Sequence, residues 1–226
     1  MDELSEQPDG NQHGIYWDKA YVIGKLRQLD LAEAILRAAV LVAVRHIFDC
    51  TTNDPPALAG MLGWGKGIRS LREQLIPQGW NRRNTRNFAT IEHPKGWCAL
   101  TIAAGDAFTG LHDKNPSTRS AKGQATADAI RDNRPEFADV SGDFPRVQEK
   151  SIRDTWFLLY YIDNDEQQTR MELSRPAGMT EDGHVTVWSE RIILDADAFP
   201  TQPQADLDDD REDDSGPDID VVRKTG

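Results

Sequence analysis

The sequence predicts an α+β fold: N-terminal helices packed on a mainly antiparallel sheet of about five strands, flanked by disordered acidic tails. Three observations carry this. Leu31 to Phe48, LAEAILRAAVLVAVRHIF, is a run of good helix formers with apolar residues at helical spacing. Thr155 to Leu194 alternates strand-like segments with polar turns. Beyond Phe199 the composition shifts to Pro and Gln and then to DLDDDREDDSGPDID, which has too little apolar surface to order itself.

Residues 1–14 have few apolar groups and are expected to be disordered, with Ile15, Tyr16 and Trp17 the first to dock. Asp30 suits the N-cap of the Leu31 to Phe48 helix, whose middle is apolar all round and therefore central. Asn53, Asp54 and two prolines end it. A second helix is expected from Pro55 or Pro56 through Leu62. A third, short and amphipathic, rests on Ile68, Leu71, Leu75 and Ile76, broken at Pro77 and closed by Gly79 and Trp80. Thr90 to Glu92 and Trp97 to Ala104 read as a hairpin across Pro94, Lys95 and Gly96. Arg131 to Lys150 is expected to be an irregular connector anchored by Phe137, Val140, Phe144 and Val147. TWFLLYYI, TRMELS and Val185 to Leu194 then give three antiparallel strands. The implied organisation is a tail over 1–14, a single domain over 15–199 (helical part 15–80, sheet part 88–199) and an acidic tail over 200–226.

A chain of 226 residues is long enough for one sizeable core. Its net charge of −12 is unevenly placed. Residues 1–18 carry five acids and no base, and 195–226 carry eleven acids and three bases, which leaves 19–194 nearly neutral at 23 bases and 22 acids. Cys50 and Cys98 have no paired spacing, which suits a reducing cytoplasm and argues against a disulfide framework or a cysteine metal site. The acidic N-terminus is the reverse of a basic secretory leader. Leu31 to Phe48, with Glu33, Arg37, Arg45 and His46 inside it, is too charged for a membrane span. The expectation is a soluble cytoplasmic protein without a membrane partner.

Two stretches stand out as binding candidates. In Gly96 to Ile130 a short apolar strand empties into a polar, glycine-marked loop and then a helix capped by Ser117 or Ser120. A strand feeding a helix N-terminus through such a loop presents backbone N–H groups to an anion, and Lys114, Arg119 and Lys122 add positive charge there. The spacing of Gly105, Gly110 and Gly123 fits neither a P-loop nor a dinucleotide fingerprint. The second stretch, Trp64 to Lys95, holds Lys66, Arg69, Arg72, Arg82, Arg83, Arg86 and Lys95 against Glu73 and Glu92, with Trp64, Trp80 and Phe88 interleaved. Guanidinium groups for phosphates and rings for stacking are what a nucleic-acid strand requires. The plainer reading is that these arginines pair with acids elsewhere and the tryptophans pack in the core.

Catalytic signals are sparse. Asp106, Asp154, Glu172 and Glu190 are the acids nearest strand ends, but none has the companion lysine of a metal-dependent nuclease, and such acids more often pair across strands with Arg170, Arg175 or Arg191. His13, His46, His93, His112 and His184 are scattered, so no metal is expected, and no motif identifies a cofactor. There is no G-x-S-x-G elbow. The residues therefore point to a binding protein for nucleic acid or a phosphate-containing ligand, using Lys66, Arg69, Arg72, Trp80, Arg82, Arg83, Arg86, Lys114, Arg119 and Lys122. Two alternatives stand beside it. One is a hydrolase of a phosphate-containing substrate with Asp106 as acid, base or metal ligand. The other is a protein-interaction module whose ligand is another protein and whose acidic C-terminal tail is the contact; in the binding reading that tail would instead compete with the ligand for the basic face or recruit a basic partner.

Overall fold

The computed structural model describes residues 11–12, 14–133 and 154–199. The expected connector beyond Asn133 and the expected tails before Asn11 and after Phe199 lie outside the described residues. The fold is α+β: four α-helices and one mixed sheet. The strands are β1 (Asn11–Gln12), β2 (Ile15–Tyr16), β3 (Asn81–Thr85), β4 (Phe88–Glu92), β5 (Cys98–Ala104), β6 (Asp154–Asp163), β7 (Gln168–Met179) and β8 (Val185–Ala198). The helices are α1 (Lys19–Gln28), α2 (Glu33–Phe48), α3 (Leu58–Leu75) and α4 (Gln124–Asp132).

The sheet runs β1-β2-β8-β7-β6-β5-β4-β3. The hairpin β4–β5 and the meander β6–β7–β8 are antiparallel as the sequence predicts. Two expectations about the sheet are corrected. The meanders meet through a parallel pair, β5 beside β6 with Leu100 opposite Trp156, and β2 adds in parallel to β8, so the sheet is mixed. It also has more strands than the five expected. The additions are the two-residue β1 and β2, too short to show a pattern, and β3, whose sequence NRRNT has no apolar alternation because it is a fully exposed edge. β3 is held by a two-residue turn, Arg86 and Asn87, both at positive φ (48° and 63°), the conformation of a type I′ hairpin.

Helices α1, α2 and α3 cover one face. Trp156, Leu158 and Tyr160 of β6 pack there with Leu36, Ala43 and Val44 of α2 and Ile68, Leu71 and Leu75 of α3. The alternate residues Phe157 and Leu159 point to the other face, where Ala103, Phe88 and Trp188 join them. Asn133, after α4, donates to the carbonyls of Thr155 (2.9 Å) and Pro176 (3.0 Å) and accepts from the Thr155 amide, anchoring α4 at the start of β6.

Four helix expectations change. The cap of α4 is Gly123, with no side-chain bond, and neither Ser117 nor Ser120. α1 is not among the helices the sequence predicts; Asp18 caps it by accepting from the Ala20 amide at 2.9 Å. Asp30 does not cap α2: it sits at φ 56° and directs its carboxylate to His93, while the helix starts at Glu33. The two helices expected between Pro55 and Ile76 are one. Gly63 and Gly67 let α3 lie close on the sheet and on α2, since a Cβ at Gly63 would stand 2.6 Å from both Ile47 and the Tyr160 hydroxyl, and one at Gly67 2.6 Å from Ile102. Tight packing there outweighs the weak intrinsic helicity of glycine.

Candidate functional site

The carboxyl ends of the parallel pair β5 and β6 open into a cavity of about 690 Å³. Such crevices outside the carboxyl ends of parallel strands are where open sheets bind ligands. Its floor is Ile102 to Gly105 and Tyr160 to Ile162; one wall is the end of α2 (Ile47, Phe48) with the start of α3 (Pro56, Ala57, Gly60, Met61, Trp64); the opposite wall is Arg119, Ser120 and Lys122.

The loop after β5 places the two cations. Gly105 forms a β-bridge with Thr118, and the Arg119 amide donates to the Ala104 carbonyl at 2.9 Å, so the returning chain lies along the strand end. Thr118 is fixed in turn to Val185, and the Lys122 amide to the Gly183 carbonyl at 2.8 Å. The earlier part of the loop is stitched over the other face of the sheet. The Gly110 amide donates to Glu172 at 2.8 Å, Trp188 donates to the Pro116 carbonyl at 2.8 Å, and Arg191 donates to the carbonyls of Leu111 and Lys114. Gly110 is at φ 76°, and a Cβ there would stand 2.9 Å from that of Arg170, so glycine is required. Glu172 and Arg191 are both buried and form a bidentate pair (2.9 and 2.6 Å) beneath the loop.

The crevice is electrostatically one-sided. No carboxylate lines it, and among the described residues the side chains of Arg119 and Lys122 make no hydrogen bond or ion pair. Burial holds the Lys122 ammonium below the ordinary lysine range. α3 points its N-terminus inward. Ala57 at its N-cap offers no side-chain acceptor, and the amides of Ala59 and Gly60 have no acceptor among the described residues, leaving positive potential on that wall too. Tyr160 is 2% exposed, yet its hydroxyl, set against Gly63 at the cavity, has no hydrogen-bond partner among the described residues. Burial, opposed by Arg119, pushes this phenol up to about 12, so at neutral pH it is a neutral donor. Trp64 and Met61, 39% and 64% exposed, put an aromatic and a thioether surface at the mouth.

The cations picked out from the sequence do not gather on one face. Arg119 and Lys122 line the crevice; Lys114 does not, and pairs with Asp113 at 3.5 Å. Of the basic aromatic segment, Trp80 is 3% exposed and packs edge-on against His93. Arg72 ties α3 to the β3–β4 hairpin through the carbonyls of Thr90 and Arg83 and the Asn84 side chain. Arg69 pairs with Glu73, Arg83 with Glu92 and Arg86 with Asp128. Arg82 and Arg83 lie opposite Ile91 and Thr90, hence on opposite faces of the edge strand. Lys66 on α3 and Arg82 have no acid partner among the described residues, but neither reaches the crevice.

The four strand-end acids do not converge. Asp106 accepts from the amides of Phe108 and Ser117, both at 3.0 Å, so both of its oxygens organise its own loop. Asp154 pairs with Arg175, Glu172 with Arg191 and Glu190 with Lys25. Among the described residues no three metal-ligating side chains cluster, and no helix is long and apolar enough to cross a membrane.

Sequence reasoning did not single out Tyr160, Met61, Phe48 or the first turn of α3. The last had a signal: glycines at 60, 63 and 67 on one side of a helix mark a surface where something approaches closely. Tyr160 had none, since in TWFLLYYI it reads as core. Comparison of the chain with protein-family models, with curated proteins and with solved structures finds no match to any of them.

Proposed function

We propose that the chain binds a small phosphate-containing ligand of nucleotide size in the crevice at the ends of β5 and β6. The observation that carries this is the wall of Arg119 and Lys122, two cations without an acid partner among the described residues, facing the uncapped first turn of α3. Phosphate oxygens would accept from the guanidinium, the ammonium and the free amides of Ala59 and Gly60, with Tyr160 as a further donor. Trp64 and Met61 offer a planar or apolar part of the ligand somewhere to lie. The volume falls within the roughly 300–1,000 Å³ typical of small-ligand sites.

A small ligand is favoured over a nucleic-acid strand because Trp80 is buried, Arg72 braces the β3–β4 hairpin, and the exposed Arg69, Arg83 and Arg86 each pair with an acid. Binding is favoured over hydrolysis because Asp106 has both oxygens occupied by its own loop. A cytoplasmic setting rests on the two free cysteines.

The test is calorimetric titration of the full chain with pyrophosphate and adenosine monophosphate over a salt series. Arg119→Gln and Lys122→Gln should each weaken binding by about ten- to a hundredfold, the weight of one charge-assisted hydrogen bond. Tyr160→Phe, which removes one neutral donor, should weaken it less. No binding by the unmodified chain at low salt would end the proposal.

A further inference from the structure

We propose that the acidic segment Asp206 to Asp214 of this same chain occupies the cationic crevice, acting as a built-in competitor for its ligand. Strand β8 delivers the chain to that site. Along its last residues β8 is held to α2: Arg37 bonds to the Asp195 carbonyl and pairs with Asp197, and the Phe199 ring packs edge-on against Phe48 at 5.0 Å between centroids. Phe48 lines the crevice. The chain therefore leaves the described fold at the wall of the cavity.

The C-terminal sequence suits that position in length and charge. Six residues, PTQPQA, separate Phe199 from Asp206. At full extension they let Asp206 reach about 24 Å from Phe199, at roughly 3.3–3.6 Å per residue. The segment DLDDDREDD then holds seven acids and one base. The crevice has no acid of its own, two cations without partners among the described residues and a helix N-terminus. Tethering on so short a linker gives the segment an effective concentration on the order of millimolar, enough for a weak electrostatic contact to be well populated. The other exposed basic surface, edge strand β3, is five strand spacings from β8, about 24 Å at ~4.8 Å each, so it is the more distant of the two. Docking rests on the charge and geometry of the crevice. Only the competition rests on the anion-binding function proposed for the same site.

Zero-length carbodiimide coupling of the full chain, with mass-spectrometric mapping, tests this without a ligand, because it joins a lysine amine to a carboxylate in direct contact. The expected result is that Lys122 is the main lysine joined to Asp206–Asp214 at low salt. The product should be lost at about 1 M salt, where screening reaches ~3 Å, and in a chain with Asp208, Asp209 and Asp210 changed to Asn. Coupling spread over Lys66, Lys95 and Lys114, or no coupling at Lys122, overturns the proposal. Added pyrophosphate separates tail docking from ligand binding. Suppression of the Lys122 product supports both, whereas a strong Lys122 product indifferent to pyrophosphate upholds tail docking and tells against the anion-binding function.

Discussion

Glu172 and Arg191 face each other across β7 and β8 as a bidentate pair, 2.9 and 2.6 Å, with 0% and 3% of their surfaces exposed. Ser174 and the Gly110 amide donate the remaining hydrogen bonds to the carboxylate, and Arg191 spends its other donors on the loop carbonyls of Leu111 and Lys114. The pair is what seats the loop that carries Arg119 and Lys122. Its parts are valuable only together, since either charge alone would be buried without a partner. Glu172→Gln should cost about 3–5 kcal/mol, read as a lower urea midpoint. Replacing both residues, Glu172→Gln with Arg191→Met, should cost less than the sum of the single changes.

Arg72 gives a second stability test, and it separates a structural arginine from a binding one. Its guanidinium reaches the Thr90 carbonyl at 2.9 Å, the Arg83 carbonyl at 2.8 Å and the Asn84 side chain at 2.7 Å. Burial, with the neighbouring Arg82 as a lesser cause, lowers its pKa. Arg72→Met should lower stability by about 1.5–3 kcal/mol, measured by denaturant unfolding. Pyrophosphate affinity at temperatures where the variant is folded should not change.

The glycines of α3 divide by what surrounds them. A methyl at Gly63 would stand 2.6 Å from the Tyr160 hydroxyl and from Ile47, whereas nothing lies within 4 Å of one at Gly65. Gly63→Ala is therefore expected to destabilise by about 1–3 kcal/mol. Gly65→Ala should stabilise by about 0.5–1 kcal/mol through helix propensity alone. Thermal melts of the two variants should move in opposite directions.

The pH dependence of anion binding should report Lys122. In the free protein burial lowers its pKa below 10.5, so its ammonium is lost at a lower pH than an exposed lysine would lose its own. Binding needs the charged form, so affinity should fall as pH rises through that lowered value. Lys122→Arg keeps its charge throughout and should flatten the profile. A wild-type profile flat up to the ordinary lysine range would show that Lys122 takes no part.

Thiol accessibility offers a simple check on the core. Cys98 is fully buried and its thiol is pushed up to about 12, chiefly by burial. Cys50 is half-exposed after α2. A disulfide reagent should modify Cys50 in the native chain, slowed by the burial and the Asp54 and Asp49 carboxylates that raise its thiol pKa, and Cys98 only on unfolding.

Local pattern alone determined the apolar helix α2, the β4–β5 hairpin with Gly96 at φ 73°, and the β6–β7–β8 meander, because each is written in neighbouring residues: apolar residues at helical spacing, a turn glycine, and apolar or alternating runs divided by polar turns. It also marked Arg119 and Lys122 as cations in a loop between strand and helix. Only the tertiary structure decided what those cations face. The parallel pairing of β5 with β6 joins segments some fifty residues apart in sequence, and it creates a crevice whose other wall comes from α2 and α3. The basic aromatic segment shows the converse. Its composition is that of a binding strip, yet Trp80 turned inward and Arg72 became a brace, since burial and long-range carbonyl partners are set by how layers stack and not by the residues on either side.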